Sequence, residues 1–472
     1  MNILYSILLF FKLIKNQIFE FFWNKRLNYN LELKKVIDSY KKLQNNKVSR
    51  DTSDIGTLFR NNKKNNNNFT LDNLNGIIKI DTLNKTVEVG GKTRYYDILN
   101  ETLKYGLMPK IVPELSSITV GGAITGISIE SSSFKYGWGH DSVVDMDIMI
   151  SSGDILFCTA DNKNKDLYNS IPNSYGTIGY VTRAKLELIE SKPYVKLINH
   201  KFNDFDIAFN FINNLIENNE NNEGKIDFLD GICYSLTEIV IVTGYLVDNV
   251  DGKLSNYPRE GIYYETIREK NVDYMTIYDY YWRWDADMFW GVTDVSFLTN
   301  KTIRKIFGRY LLNTRTLRSV QNIINSIKYT IYPNSNKEKI IQDLGVPYKN
   351  ATNFCKWIDN NIGIYPIWLC PVVPKKSKSH FWTYNENKLY FDIGVFGRKR
   401  YDNNHENEKY YYNKLIESEL INLDGNKCFY SGTYFNKEDF NKFIDNELYS
   451  NMKKKYDPKN RFGNLYEKVI CT

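Results

Sequence analysis

Apolar and polar positions follow a regular pattern from residue 76 onward. Two runs of β-branched residues, Ile77 to Ile80 and Val87 to Val89, flank a polar segment and predict a β-hairpin. Apolar side chains then recur at helical spacing between Tyr95 and Leu103, and Gly106 follows at the position of a helix C-cap. Because strand and helix patterns alternate within one short stretch, the chain predicts an α+β domain here.

Two further strands are predicted downstream, each beside a glycine-containing turn. Val143 to Ile150 precedes the turn Ser152-Gly153-Asp154, and Val181 to Ile189 follows Tyr175-Gly176-Thr177-Ile178-Gly179-Tyr180. A third group of glycines, Gly121, Gly122 and Gly126, follows the short run Ile118-Thr119-Val120.

Glycines flanked by Thr and Ser suit an anion such as pyrophosphate, because the backbone can approach closely and point N–H groups at the oxygens. The spacing is neither G-x-G-x-x-G opening a helix nor G-x-x-x-x-G-K-[ST], so it supports neither a Rossmann site nor a P-loop. The two clusters are candidates for holding the two ends of one long ligand, with ordinary turns as the alternative.

The first 26 residues are rich in apolar side chains but interrupted by charge. The uncharged stretch from Ile3 to Phe11 is too short to cross about 30 Å of hydrocarbon as a helix. Continued as a helix, residues 1–26 separate Lys12, Lys15 and Glu20 from an apolar side. No small-residue cleavage site follows, so a removed signal peptide is not expected. We predict an amphipathic membrane-associating segment, with a helix buried on the domain as the alternative.

Composition excludes several classes of protein. The 472 residues carry 62 Lys and Arg against 55 Asp and Glu, and the net charge of +7 is spread along the chain, so nucleic-acid binding is not expected. The six cysteines lie far apart and predict free thiols in a reducing compartment. The four histidines are equally scattered, and no metal site is predicted.

Several segments, in order along the chain, carry a resemblance to a known family. They are Val120-Gly121-Gly122, Gly126 to Gly137, Gly153-Asp154, Gly176 to Gly179, Tyr280 to Arg283, Phe289-Trp290, Tyr365 to Pro371 and Tyr434 to Phe440. Their sequence and spacing resemble the FAD-linked Δ24-sterol reductases, within the vanillyl-alcohol oxidase (PCMH-type) superfamily of FAD-binding proteins. The likeness runs from about Lys47 to the carboxyl end, and Tyr-Pro-Ile-Trp-Leu-Cys-Pro is its most specific motif.

The resemblance implies an α+β fold with a two-subdomain PCMH-type FAD-binding domain and an α/β cap domain built on an antiparallel sheet. On this basis we expect the membrane-associating segment at 1–26, the FAD-binding domain at 27–190 and the cap, or substrate, domain at 191–430. Residues 431–472 would return to the FAD-binding domain, where Asp457-Pro458 and Phe462 resemble the superfamily's closing motif.

The resemblance also implies which residues bind FAD. They are Thr119, Val120, Gly121, Gly122, Ala123, Ile124, Thr125, Gly126, Ile127, Ser128, Ile129, Glu130 and Ser131 in the flavin-binding loop, and Gly176, Thr177, Gly179 and Val181 near the adenine end. No His or Cys matches a covalent flavin link of the superfamily, so non-covalent FAD is expected. The segment Arg50 to Gly56 departs from the family, since it has two acidic residues where the family has a basic turn.

The reaction implied is reduction of the C24–C25 double bond of a sterol side chain, with NADPH as electron donor. Such a double bond is isolated from any carbonyl, so we expect a general acid to protonate C24 while hydride from the flavin reaches C25. Tyr434 is the candidate proton donor and Glu130 a second one, while His140 and Cys370 are interpreted as structural. The family also implies an endoplasmic reticulum-like membrane location, facing the cytosol.

Two alternatives stay open at this point. One is an oxidase of the same fold that acts on an alcohol or sugar lactone with O2, and the other is a flavin-less sterol-binding protein. The aromatic residues between Tyr280 and Trp290 fit a sterol slot, a membrane-facing entrance or plain core packing equally well. Lys375, Lys376 and Lys378 are expected in a solvated loop, with anionic lipid or the NADPH 2′-phosphate as the alternative contact.

Overall fold

A computed structural model shows two β-sheets joined by helices. The structure describes residues 26–43, 47–50, 68–218, 220–221, 223–287, 289–290, 299–317, 336–375, 384–402, 404–405 and 408–471. The predicted membrane-associating segment up to residue 25, the acidic part of Arg50 to Gly56, Lys376 and Lys378 lie outside the described residues. Within them, no helix combines the length and the apolar character that crossing a membrane requires.

The N-terminal sheet has six strands, in the order β3-β4-β8-β6-β7 with β5 paired to β8. The strands are β3 (Ile77–Asp81), β4 (Thr86–Gly90), β5 (Leu107–Pro109), β6 (Val143–Met149), β7 (Ile155–Thr159) and β8 (Tyr180–Glu190). The β3–β4 hairpin is confirmed, as are the strands over β6 and β8. A separate parallel pair, β1 (Ser49–Arg50) and β2 (Asn68–Phe69), precedes this sheet.

Short helices connect these strands. They are α1 (Tyr29–Lys41), α2 (Tyr95–Thr102), α3 (Val120–Gly126), α4 (Ser133–Tyr136) and α5 (Lys165–Ser170), with 3-10 turns at Leu103–Tyr105 and Gly139–Ser142. Gly106 caps the turn after α2 with a φ of +67°, a conformation that favours glycine, so the predicted helix end is confirmed.

The cap sheet has eight strands, in the order β14-β9-β13-β12-β16-β17-β15-β18, and every neighbouring pair is antiparallel. Its strands are β9 (Tyr194–Phe202), β12 (Phe228–Ser235), β13 (Glu238–Val247), β14 (Val272–Thr276), β15 (Lys337–Pro347), β16 (Ile367–Val372), β17 (Tyr390–Arg400) and β18 (Asn426–Lys427). A small hairpin, β10 (Glu220–Asn221) with β11 (Gly224–Lys225), lies beside it in sequence.

Three long helices pack on the cap sheet, namely α6 (Phe205–Asn218), α11 (Tyr348–Asn361) and α12 (Tyr411–Asn422). Phe391 of β17 faces this layer, because its ring centroid is 4.5 Å from that of Phe209 in α6. Side chains at alternate positions of a strand point to opposite faces, so the neighbours of Phe391, including Asp392, point away from the helices. The shorter helices of this part are α7 (Tyr257–Glu260), α8 (Tyr263–Thr266), α9 (Ile277–Tyr281) and α10 (Lys301–Leu311).

The C-terminal segment returns to the N-terminal part of the chain. It contains α13 (Lys437–Phe440), α14 (Asn446–Tyr456) and α15 (Leu465–Val469). The Arg461 guanidinium donates to the Ser151 carbonyl at 2.7 Å, and the Phe462 ring packs on Tyr180 with centroids 4.9 Å apart. These contacts fasten the carboxyl end to the N-terminal sheet and to the small core beside it.

Candidate active site

The first glycine cluster forms a short helix, α3, where an open loop was expected. Thr119 is its N-cap, and the Thr119 hydroxyl accepts from the Gly122 N–H at 3.3 Å. The Gly121 N–H donates to the Gly91 carbonyl at 2.8 Å, and a Cβ on Gly121 would lie 2.8 Å from that same oxygen. Glycine is therefore needed at 121 for backbone packing. A Cβ on Gly122 would approach only the Thr119 hydroxyl, at 3.0 Å, so position 122 borders open space.

The second glycine cluster contacts the first. The Tyr175 N–H donates to the Thr125 carbonyl at 2.9 Å, and the Tyr175 hydroxyl donates to the Gly126 carbonyl at 3.0 Å. From the C-terminal helix α14, the Lys453 ammonium donates to the Thr177 carbonyl at 3.0 Å. The two turns thus form one continuous wall, although they are far apart in sequence.

Both segments hold non-glycine residues in left-handed backbone conformations. Ile127, at the end of α3, has a φ of +66°, and Asn173 and Tyr175 have φ values of +58° and +49°. A β-branched residue such as isoleucine adopts this conformation at a cost, and such strain concentrates at ligand-binding sites. The strained positions therefore coincide with the two turns that the sequence analysis selected.

Buried polar atoms in the same wall fit a ligand such as FAD. Among the described residues, the Ser128 hydroxyl and both side-chain amide atoms of Asn173 are buried without a hydrogen-bond partner. Buried polar groups are nearly always paired, so these atoms suit the hydroxyls and phosphates of a dinucleotide. The N–H groups of Val120, Gly121 and Gly122 already donate within the chain, so the free donors expected of glycine amides are not at these three positions.

The end of the segment from Thr119 to Ser131, the predicted flavin-binding loop, lies directly on the cap sheet. The Ser131 hydroxyl is 2.7 Å from the Tyr280 hydroxyl, and the Ser131 carbonyl accepts from the Leu229 N–H at 2.7 Å. The Cys370 thiol of β16 donates to the Glu130 carbonyl at 3.3 Å. The cap-sheet face that carries Cys370 is therefore the face turned toward the loop.

An arginine and several carboxyl groups are buried where the loop meets the cap. The Arg283 guanidinium donates to Asp230 at 2.8 Å and stacks over the Tyr280 ring, 4.0 Å from its centroid. Burial raises the pKa of Glu130 to about 8, although Arg283 opposes the shift. Burial, reinforced by Glu130, raises the pKa of Glu114 well above its ordinary value. One cation thus faces three carboxyl groups, and Glu130 holds its proton at neutral pH.

A second pair of buried carboxyl groups lies further along the same face. Burial raises the pKa of Asp392 to about 7, and burial together with Asp392 raises the pKa of Asp343 well above its ordinary value. Sequence reasoning missed both residues. The available signal was an aspartate inside the otherwise apolar run Phe391-Asp392-Ile393.

The remaining candidates lie as follows. Gly179 and Val181 are buried where β8 begins, and a Cβ on Gly179 would lie 2.6 Å from the Ile148 side chain. Tyr434 is half-buried beside α12, where its N–H donates to Glu417 at 3.0 Å and its ring lies 4.6 Å from that of Tyr410. Burial raises the pKa of the Tyr434 hydroxyl, so it holds its proton tightly.

The aromatic cluster packs inside the protein. Tyr280, Tyr281, Trp282, Trp284, Phe289 and Trp290 are each at most 9% exposed, which favours core packing over a membrane-facing entrance. Cys370 and His140 are buried, as their structural interpretation requires. All six cysteines, which lie within the described residues, are free thiols as predicted.

Comparison with known proteins agrees with this geometry. Residues 56–159 match a family model described as an FAD binding domain. The chain is 29% identical over 419 residues to the Δ24-sterol reductase of Macaca fascicularis and 28% identical over 419 residues to that of Homo sapiens, in both cases over 86% of this chain and 78% of the relative. It is 28% identical over 437 residues to the Δ24-sterol reductase of Pisum sativum, over 83% of this chain and 74% of the relative.

These findings define the class of protein first. The chain carries a PCMH-type FAD-binding domain and a cap domain built on an antiparallel sheet. Within that class it is similar to the FAD-linked Δ24-sterol reductases, whose animal and plant members it matches along most of its length.

Proposed function

We propose that this protein is an FAD-dependent oxidoreductase that reduces the C24–C25 double bond of a sterol side chain, with NADPH as electron donor. The observation that carries the proposal is similarity to proteins named Δ24-sterol reductase over 86% of the chain, which includes the cap as well as the FAD-binding domain. Because the match extends through the cap, it favours this reaction over an oxidase that shares only the flavin domain.

In this proposal the residues from Thr119 to Ser131 hold the flavin end of a non-covalent FAD. Gly176, Thr177, Gly179 and Val181 hold the adenine end. The unpartnered polar atoms of Ser128 and Asn173 support a ligand at this wall. The bound flavin would supply a hydride to the substrate.

The chain's own residues exclude water and provide a proton. The cap sheet lies directly on the loop through Ser131 and Cys370, so a substrate between them would be shielded from solvent. Tyr434 is the candidate proton donor from the sequence, because it lies in the segment that returns toward the FAD-binding domain. Its raised pKa keeps the hydroxyl protonated at neutral pH, as a proton donor requires.

We also propose that residues 1–26 attach the protein to the cytosolic surface of an endoplasmic reticulum-like membrane. The amphipathic pattern of this segment supports the proposal, and a sterol substrate dissolves in such a membrane. Deletion of residues 1–26 should release the protein from membranes with FAD still bound. A truncated protein that still sediments with membranes after a salt wash would contradict the attachment.

The decisive experiment incubates membranes that contain the protein with desmosterol or lanosterol and NADPH, followed by mass spectrometry of the sterols. We expect a product heavier by two hydrogens, and no such product with NADPH omitted. Purified protein should be yellow and should release flavin on acid precipitation. Protein that stays colourless after incubation with FAD would instead support the flavin-less binding protein.

A glycine substitution tests the cofactor wall separately. Gly122→Glu should abolish flavin retention, because the carboxylate would enter the space where the phosphates are proposed to lie. Gly122→Ala is the matched control, since its methyl group meets only the Thr119 hydroxyl and should leave the flavin bound. Equal flavin content in both variants would refute this placement of the cofactor.

A further inference from the structure

The register of the cap sheet places Asp392 next to Cys370. The two residues are direct partners in the antiparallel pair of β16 and β17, so their side chains point to the same face. The Cys370 thiol bonds to the Glu130 carbonyl at the end of the flavin-binding loop. Asp392 therefore points to the side of the sheet where that loop lies, and away from the covering helices.

Among the described residues, the carboxyl group of Asp392 is buried without a hydrogen-bond partner. Its side chain is 1% exposed, and neither carboxyl oxygen has a hydrogen-bond partner among the described residues. One carboxyl oxygen of Asp343, on the neighbouring strand β15, is also buried without a hydrogen-bond partner among the described residues. A buried carboxyl group with no hydrogen-bond partner in the described part of the chain is rare, and a bound molecule such as a substrate would supply the missing partner.

Aromatic side chains and a glycine surround this carboxyl group. Gly345 is the direct partner of Asp392 on β15, and a Cβ there would lie 1.7 Å from the Tyr384 hydroxyl. Because Gly345 has no side chain, Tyr384 can lie over the sheet beside Asp392. Tyr384 also packs on Trp138 of the N-terminal part of the chain, with ring centroids 5.0 Å apart. The surroundings are apolar, aromatic and closed to solvent.

We propose that Asp392 is the catalytic acid that protonates the sterol double bond, with Asp343 as a neighbouring carboxyl group on β15. This assignment rests on the proposed function and replaces Tyr434 as the proton donor. The Asp392 O–H bond breaks as the new C24–H bond forms from the π electrons of the double bond. Reduced FAD, when bound, would supply the hydride that completes C25, and the Asp392 carboxylate would regain a proton from water after the product leaves.

The chemistry of the double bond explains why such an acid is needed. An isolated alkene has no carbonyl to accept charge, so cationic character develops at C25 as the proton arrives. The faces of Tyr384 and Trp138 stabilise positive charge. The carboxylate that remains after proton transfer does the same, and a water-excluded site strengthens both effects.

Separate measurement of the two half-reactions tests the assignment. FAD-loaded protein is mixed first with NADPH and then with desmosterol, and flavin absorbance is followed through bleaching and recovery. We expect Asp392→Asn to bleach with NADPH as the wild type does but to recover at least about 100-fold more slowly. Asp392→Glu should restore part of the recovery rate, and the exposed control Asp248→Asn should behave like the wild type.

Each outcome has a distinct meaning. A wild-type protein that bleaches but never recovers with any sterol contradicts the proposed function. A wild type that recovers, with Asp392→Asn equal to it, overturns the assignment of Asp392. If Tyr434→Phe loses recovery while Asp392→Asn keeps it, Tyr434 is the donor.

An infrared measurement on flavin-free protein gives a readout that does not depend on turnover. The carbonyl band of neutral carboxyl groups should lose intensity as pH rises through the neutral range, and Asp392→Asn should lack that component. An unchanged band and pH response in Asp392→Asn would show that Asp392 does not hold the proton, and would overturn the proposal.

Discussion

Asp230 and Asp392 lie on the same face of the cap sheet, and both are almost completely buried, yet their surroundings are opposite. Asp230 accepts a hydrogen bond from the Arg283 guanidinium at 2.8 Å and a longer one from the Trp368 indole N–H at 3.5 Å. Asp392 faces another carboxyl group, Asp343, and has no hydrogen-bond partner among the described residues.

The difference decides what each carboxyl group can do. A buried carboxyl group hydrogen-bonded to a guanidinium fixes the position of its partner. A buried carboxyl group beside another acid keeps its proton, because ionisation would place an uncompensated charge in a medium of low dielectric constant. The first arrangement stabilises the junction between the cap sheet and the segment from Thr119 to Ser131. The second keeps the carboxyl group of Asp392 protonated beside the proposed substrate site.

Removal of the paired carboxylate should have the largest effect on stability. Asp230→Ala leaves the fully buried Arg283 without a counter-charge, and we expect a loss of about 3–5 kcal/mol in the free energy of unfolding. Chemical denaturation of the FAD-loaded protein measures it. The double variant Asp230→Ala with Arg283→Met should lose less than Asp230→Ala alone, since no unpaired charge remains. A loss below about 1 kcal/mol in Asp230→Ala would show that Arg283 is not desolvated as described.

Removal of the unpaired carboxyl group should change how stability depends on pH. Asp392 holds its proton to about pH 7 in the folded protein, whereas an unfolded aspartate releases it near pH 3.9. Between these values the folded state binds the extra proton, so the contribution to stability falls by up to about 1.4 kcal/mol per pH unit as pH rises. The groups that face Asp392 are Asp343, Cys370, Tyr384, Cys428, Tyr430 and, beyond Asp343, Lys427.

Thermal unfolding of wild type and Asp392→Asn at pH 5 and pH 7.5 checks this slope. We expect Asp392→Asn to gain stability relative to the wild type between pH 5 and pH 7.5, because an amide has no ionisation cost. Glu130 also makes the stability depend on pH in both proteins. The quantity to compare is therefore the difference in stability between the wild type and Asp392→Asn at each pH. Parallel pH curves would contradict the protonation assigned to Asp392.

The smallest effect on stability is expected at the contact between the uncharged side chains of Tyr280 and Ser131. Tyr280→Phe removes the hydroxyl that lies 2.7 Å from Ser131 but keeps the ring on which Arg283 stacks. Because Ser131 also donates to Glu130 at 3.0 Å, we expect a loss of about 1 kcal/mol in the free energy of unfolding. Tyr281→Phe is the matched control, since the hydrogen bond of its hydroxyl within the described part of the chain is to the Met108 sulfur, at 3.4 Å. Equal losses in both variants would show that the Ser131 contact contributes nothing specific.

Local pattern was enough to predict the elements around the flavin-binding loop. Alternation of β-branched residues predicted the hairpin at β3 and β4, and Gly106 marked the helix end, because turns and strand periodicity depend on neighbours in sequence. The glycine clusters and the Tyr-Pro-Ile-Trp-Leu-Cys-Pro motif indicated the family, which the comparisons then supported.

The tertiary structure decided the rest. Cys370 and Asp392 become neighbours only through the register of β16 with β17, and Gly345 only through the register of β17 with β15. The sequence of a strand predicts that its side chains alternate between two faces. It does not show which strand it pairs with or which face is covered. Burial, and with it the protonation of Asp392, follows from those long-range pairings, so no local pattern could reveal that this aspartate keeps its proton.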